Sequence, residues 1–236
     1  YEIRVCDWSS DVCSSDLNSL CAGNERTFEV LDTVFSEVAR LFPSPYIHIG
    51  GDECYKGFWE RCPKCRMRKQ KEHLKNSEEL QSYFIKRVAD MVQKKGKQVI
   101  GWDEILEGGL APEATVMSWR GESGGIKSAR MGHDVVMTPG NYMYFDFYQA
   151  DPKTQPYAIG GYTPIKKVYS YNPIPVDSLT AEESKHIMGV QANTWTEYIQ
   201  DEQHLEYMMY PRALALAEIA WSPQEKREWN DFKPRM

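Results

Sequence analysis

Long apolar runs are missing from this chain. No stretch of its 236 residues approaches the roughly 20 apolar residues that a membrane-spanning helix needs, so no membrane span is expected. A surplus of basic charge is missing too. Its 28 Lys and Arg face 34 Asp and Glu, and the net charge of −6 argues against nucleic acid as the main partner. The opening YEIRVCDWSS lacks the basic and then apolar regions of a secretory signal. Cysteine is sparse: Cys6, Cys13, Cys21, Cys54, Cys62 and Cys65 do not space out as the disulfide framework of a small secreted domain. Cys62-Pro-Lys-Cys65 is a CxxC with no second one to complete a zinc ribbon. With Cys54 and His73 as the other nearby ligands, it reads as a surface loop, and neither metal nor cofactor is expected. Aromatics, by contrast, abound, at 7 Trp, 14 Tyr and 8 Phe. Flat rings suit sugar faces and protein cores equally, so their number alone decides nothing.

What is present has a rhythm. Residues 24–41 put Phe28, Leu31, Phe35, Val38 and Leu41 on one helical face behind Asn24 as N-cap. Pro43 and Pro45 then stop the helix, and Tyr46-Ile-His-Ile-Gly50 reads as a short buried strand. A loop carrying the CxxC and the basic run Lys64 to Lys75 follows, the run read as a solvated face. Asn76-Ser-Glu-Glu79 resembles a capping box opening a helix with Leu80, Phe84, Val88 and Met91 as its stripe and Gly96 as its end. Further strands are expected at 97–101, 115–118, 134–137 and 187–191, with a short helix around Ile126 to Met131. The Tyr/Pro-rich stretch 139–180 shows no periodic element, and loops of that length are usually functional or disordered. A helical region with Leu205, Met208, Met209, Ala213, Leu216 and Ile219 closes the chain, where Trp221 is expected to pack. Strands alternating with helices predict parallel βα units in an α/β fold.

Chemically able side chains follow the strands. Gly50-Gly51-Asp52-Glu53 follows the first, Trp102-Asp103-Glu104 the second and Trp119-Arg120 the third. Tyr144-Phe145-Asp146 lies in the loop after the fourth, and Trp195-Thr196-Glu197 shortly beyond the fifth. In a (β/α)8 barrel such residues converge on one mouth. Acids beside Trp suit a neutral polyhydroxylated ligand. Neighbours in a regular strand point to opposite faces. Asp52 and Glu53 therefore share one mouth only if the chain leaves strand geometry, a bend that Gly50 and Gly51 permit. His48, inside the strand, reads as a hydrogen-bonded core histidine. GGDE also opens the GGDEF signature of diguanylate cyclases, a remote alternative, but Cys54 stands where that signature has Phe, and 55–76 shows no paired strand.

HIGGDE, GWDEIL, MSWRG, GHDVVMTP, YFD, QANTWTE and the closing LALAEIAWS, in this order over roughly residues 20–232, resemble glycoside hydrolase family 20, the β-N-acetylhexosaminidases. The resemblance implies a partial (β/α)8 TIM barrel corresponding to strands four to eight. It also implies hydrolysis of terminal non-reducing β-linked N-acetylhexosamine, GlcNAc or GalNAc, by a substrate-assisted retaining route. On that likeness Glu53 matches the general acid and base, and Asp52 the residue that orients the substrate's acetamido group. Trp102, Trp119 and Trp195 match the aromatic wall, Tyr144 a donor to the acetamido oxygen, and Asp146 and Glu197 acceptors for sugar hydroxyls. The implied partner is a glycan containing N-acetylhexosamine. Related bacterial enzymes are often exported, which points to the periplasm or the outside of the cell.

Counterparts of the family's first three strands are not found upstream of residue 24. Residues 4–17 fit no strand or helix pattern and resemble a translated sequencing adapter. The expected organisation is therefore a non-native leader at 1–17 and the C-terminal part of a catalytic barrel at 18–236. Five of eight strands leave sheet edges unpaired. The chain alone is accordingly expected to be poorly stable and weakly active, and an inactive sugar-binding fragment is the alternative function.

Overall fold

The structure, a computed structural model, describes residues 19–236. The proposed leader at 1–17, with Cys6 and Cys13, lies outside the described residues. The chain divides into two compact units, the first ending at Thr115 and the second running Val116–Met236.

In the first unit, α1 (Glu25–Leu41) begins where Asn24 accepts the Arg26 N–H, as the N-cap reading predicted. Strand β1 (Tyr46–His48) leads to α2 (Gly57–Arg61), α3 (Pro63–Lys71), α4 (Ser77–Gln93) and β2 (Gln98–Trp102). The strands run parallel, with Ile47 opposite Val99. Ile47 and Val99 pack with Val88 and Val92 of α4 beneath Leu31, Phe35 and Val38 of α1. The capping box forms in part: Asn76 accepts the Glu79 N–H at 2.8 Å, while the Glu79 carboxylate reaches back to the N–H of Lys75, one residue before the cap, at 2.8 Å. The CxxC segment is helical rather than a loop. Its helices are short and rich in Lys and Arg, so no apolar stripe announces them. The basic run is solvated except at Arg68, which is buried and pairs with Glu25 and Glu72.

The second unit holds β3 (Thr115–Ser118) but for its first residue, α5 (Ser123–Arg130), β4 (Val135–Met137), α6 (Gly140–Met143), α7 (Ile165–Ser170), β5 (Ile187–Val190), α8 (Glu202–Met209), α9 (Arg212–Trp221) and α10 (Trp229–Phe232). Strands β3, β4 and β5 are parallel neighbours. Their core gathers Val135, Met137, Met143, Phe145, Val168, Ala215, Ile219 and Phe232. Two expectations are corrected here. Residues 139–180 contain α6 and α7, each too short to show a period. Trp221 does not pack among the described residues but is 92% exposed, at the last position of α9.

Candidate active site

In the first unit the acidic pair sits on a turn that strand geometry alone cannot make. Pairing continues one step past β1: the Ile49 N–H donates to the Ile100 carbonyl and the Trp102 N–H to the Gly50 carbonyl, both at 2.9 Å. The chain then leaves the strand with φ of +70° at Gly50, +99° at Gly51 and +48° at Glu53. The first two values are ordinary for glycine. A Cβ at Gly51 would also lie 2.6 Å from Ile105 Cγ2, so that position is closed to side chains on two counts. A left-handed glutamate is uncommon, and such strain gathers at functional sites. Asp52 and Glu53 are both exposed.

His48 corrects an expectation. It faces away from buried Ile47 and is exposed rather than in the core. It is hydrogen-bonded, as expected, its Nδ1 accepting the Gly50 N–H at 3.1 Å. Its ring meets Trp102 edge-on at 4.8 Å. Desolvation of the ring lowers its pKa, and the nearby negative charge of Asp52 pulls the other way. A neutral ring with its proton on Nε2 matches that bond. Trp102 itself is buried at the end of β2, and Asp103 and Glu104 are buried in the 3-10 turn behind it.

In the second unit Trp119 directly follows β3, and its ring stacks on Tyr144 with centroids 6.2 Å apart and planes 18° apart. Tyr144 is held by backbone. Phe145 N–H donates to the Asn193 carbonyl at 2.7 Å, and Asn193 N–H to the Met143 carbonyl at 2.8 Å. The Asn193 side chain then donates to Thr138 Oγ1 at 2.8 Å and accepts from Gln191 at 2.8 Å. One buried amide thus ties the end of β4, the Tyr144 loop and the segment after β5.

Asp146 is 5% exposed, and its Oδ1 has no hydrogen-bond partner among the described residues. Burial pushes its pKa up to about 6, with Glu197 adding to the rise, while the backbone N–H groups of Asp146 and Trp195 and the charge of Arg212 oppose it. An unmatched buried acceptor is costly unless some partner supplies the missing bond. Trp195 is 43% exposed and Glu197 lies at the surface. The second unit therefore brings together Trp119 with Tyr144, and Asp146 with Trp195 and Glu197. The first holds Asp52, Glu53 and Trp102.

Two residues of this framework were not singled out from sequence. Asn193 lies inside the quoted QANTWTE. Arg212 is fully buried and donates to the carbonyls of Phe145, Phe147, Thr163 and Met208, so it grips the loop on both sides of Asp146. A lone Arg opening the apolar helix RALALAEIAW was the available signal. The cyclase alternative fails structurally, because the segment after Glu53 forms α2 and α3 and not the second strand of a hairpin.

Residues 3–224 match the glycosyl hydrolase family 20 catalytic domain. A β-hexosaminidase of Porphyromonas gingivalis is 52% identical over 217 residues, which is 92% of this chain and 28% of that protein. One from Vibrio furnissii is 35% identical, over 85% of this chain and 33% of its own length. Among solved structures, the GH20 exo-β-N-acetylglucosaminidase of Vibrio harveyi in complex with N-acetylglucosamine superposes with a TM-score of 0.83 at 31% identity, over 92% of this chain and 34% of that one. The chain spans about a third of the length of these relatives. Its architecture is α/β, a partial (β/α)8 barrel built on parallel strands.

Proposed function

The chain belongs to glycoside hydrolase family 20, and from that premise we propose that it removes terminal non-reducing β-linked N-acetylhexosamine from glycans with retention of configuration. In the first half-reaction the substrate's 2-acetamido oxygen attacks its own anomeric carbon as the bond to the leaving oxygen breaks. Glu53 gives that oxygen its proton, and a cyclic oxazoline forms. Asp52 accepts the acetamido N–H and balances the positive charge growing there. In the second half-reaction Glu53 takes a proton from water, which opens the oxazoline at the same carbon. Attack from within one molecule removes an entropic barrier, and a fixed carboxylate stabilises charge as it develops.

The observation that carries this reading is the turn at 50–53. Positive φ at Gly50, Gly51 and Glu53 releases the pair from strand alternation and leaves both carboxylates exposed beyond β1. Tyr144 as donor to the acetamido oxygen, Asp146 and Glu197 as acceptors for ring hydroxyls, and Trp102, Trp119 and Trp195 as apolar walls complete the proposal. The buried, unmatched Oδ1 of Asp146 supports its part.

The test is turnover of aryl β-N-acetylglucosaminides by the polypeptide as its gene encodes it. Glu53→Gln is expected to lower kcat by about 10²–10⁴-fold for poor leaving groups, the usual scale of general acid catalysis. Asp52→Ala is expected to cost about 10²–10³-fold, and Tyr144→Phe to slow turnover without unfolding. Wild-type rates in Glu53→Gln and Asp52→Ala together would sink the mechanism. Quenching of Trp fluorescence by N-acetylglucosamine with no turnover would favour a non-catalytic sugar-binding role.

A further inference from the structure

The CxxC does not stand alone in the folded chain. The sulfurs of Cys21, Cys62 and Cys65 all lie within 4.8 Å of one another. Cys21 is 3.7 Å from Cys62 and 3.7 Å from Cys65. A tetrahedral cation with zinc–sulfur bonds of about 2.3 Å sets its sulfurs about 3.75 Å apart, whereas a disulfide brings them to about 2.05 Å. Two of the three separations match the spacing of ligands around a shared tetrahedral centre, and the third lies within 4.8 Å.

Backbone N–H groups point at two of these sulfurs. Cys62 caps α3, and its sulfur accepts the Cys65 N–H at 3.4 Å. The Gly23 N–H reaches the sulfur of Cys65. Gly23 also makes the approach possible. A Cβ there would lie 2.2 Å from the Lys64 carbonyl carbon and 2.4 Å from the Cys65 nitrogen, both backbone atoms. Cys54, the residue after Glu53, packs against the same cluster, and Lys56, Arg61, Lys64 and Arg66 place positive charge along the segments carrying it.

We propose that Cys21, Cys62 and Cys65 together bind one zinc-class divalent cation through their three sulfurs, with the fourth tetrahedral position open to a further donor. Each thiol gives its proton to solvent as its sulfur donates an electron pair to the cation, and no electrons are transferred. The bound ion ties the segment before α1 to the start of α3. This site is independent of the hydrolase reading, since neither Asp52 nor Glu53 takes part in it.

The experiment is a cobalt(II) titration of the reduced, chelator-stripped full chain, followed by zinc displacement. One equivalent is expected to produce a near-ultraviolet thiolate-to-cobalt charge-transfer band and the visible bands of tetrahedral cobalt, bleached by one equivalent of zinc. The Cys62→Ser/Cys65→Ser pair should abolish the spectrum. The wild-type spectrum is decisive even where a variant misfolds. No stoichiometric band in the wild type, a full band in the double serine variant, or a metal-free chain with a Cys62–Cys65 disulfide by mass spectrometry would each overturn the site.

Discussion

Gly50 at φ +70° and Gly51 at +99°, and then Glu53 at +48° beyond Asp52, give the turn three left-handed positions, and these decide where the acidic pair points. Gly51→Ala tests its cost. The new Cβ would both strain the backbone and meet Ile105 at 2.6 Å, so a loss of about 1–3 kcal/mol is expected in urea unfolding, the range of overpacking and strain penalties. An unchanged unfolding midpoint would show that the turn is not as constrained as its dihedrals imply. Asp146 sets a second expectation at this scale. With a pKa near about 6 it is mostly ionised above that pH and protonated below it. The ionised form is the better acceptor for sugar hydroxyls, so KM is expected to rise as pH falls through about 6. Asp146→Asn should flatten that limb at a uniformly higher KM, and a KM profile of unchanged shape would remove Asp146 from binding.

Among the elements, α9 contributes most to the second half of the proposed site through one side chain. Burial lowers the pKa of Arg212 to about 10, which leaves it charged near neutrality, and its guanidinium spreads that charge over four carbonyls. Removing one partner from a buried charged network costs roughly 3–5 kcal/mol. Arg212→Met is therefore expected to lower Tm sharply, and Arg212→Lys to recover part of the loss, because an ammonium lacks the planar fork. Thermal melts of both variants check this, and equal stability to wild type would mean the carbonyls find other donors. The strands were largely legible beforehand: β3 at 115–118 was read with its observed bounds, and the other four within one or two residues. Short apolar runs between Gly and Pro carry that information locally. The helices α2, α3, α6 and α7 were not legible, being too short or too charged for a 3.6-residue period to emerge.

Across the whole molecule, each unit owns a core, yet apolar side chains remain in water. Leu41 and Phe42 are exposed in the first unit, and Tyr162, Val176, Met188 and Trp221 in the second. Exposed apolar groups of this size favour association. The purified chain is expected to self-associate with rising concentration and to melt without a sharp transition. Sedimentation together with calorimetry checks this, and a monomer over the accessible concentration range with a cooperative melt would contradict it. The net charge of −6 opposes association only weakly, because it is spread over 62 ionised side chains of both signs, 28 basic and 34 acidic.

The sequence by itself determined the alternation of strands and helices, the polar residues that follow each strand, and the ordered motifs of a known hydrolase family. All of these are local, written within a few residues of one another. Tertiary structure decided the rest. It moved His48 from the core to the surface beside Trp102, left an oxygen of Asp146 unmatched, and set Arg212 against a carbonyl 67 residues away. It brought Cys21 to a CxxC 44 residues further on, where a backbone approach that only Gly23 allows makes a cluster from what reads in sequence as an incomplete motif. Periodicity reports which residues share a face of one element. Which faces and loops then meet depends on how the chain closes its long-range contacts, and that is where the ligand-like spacing of three sulfurs arises.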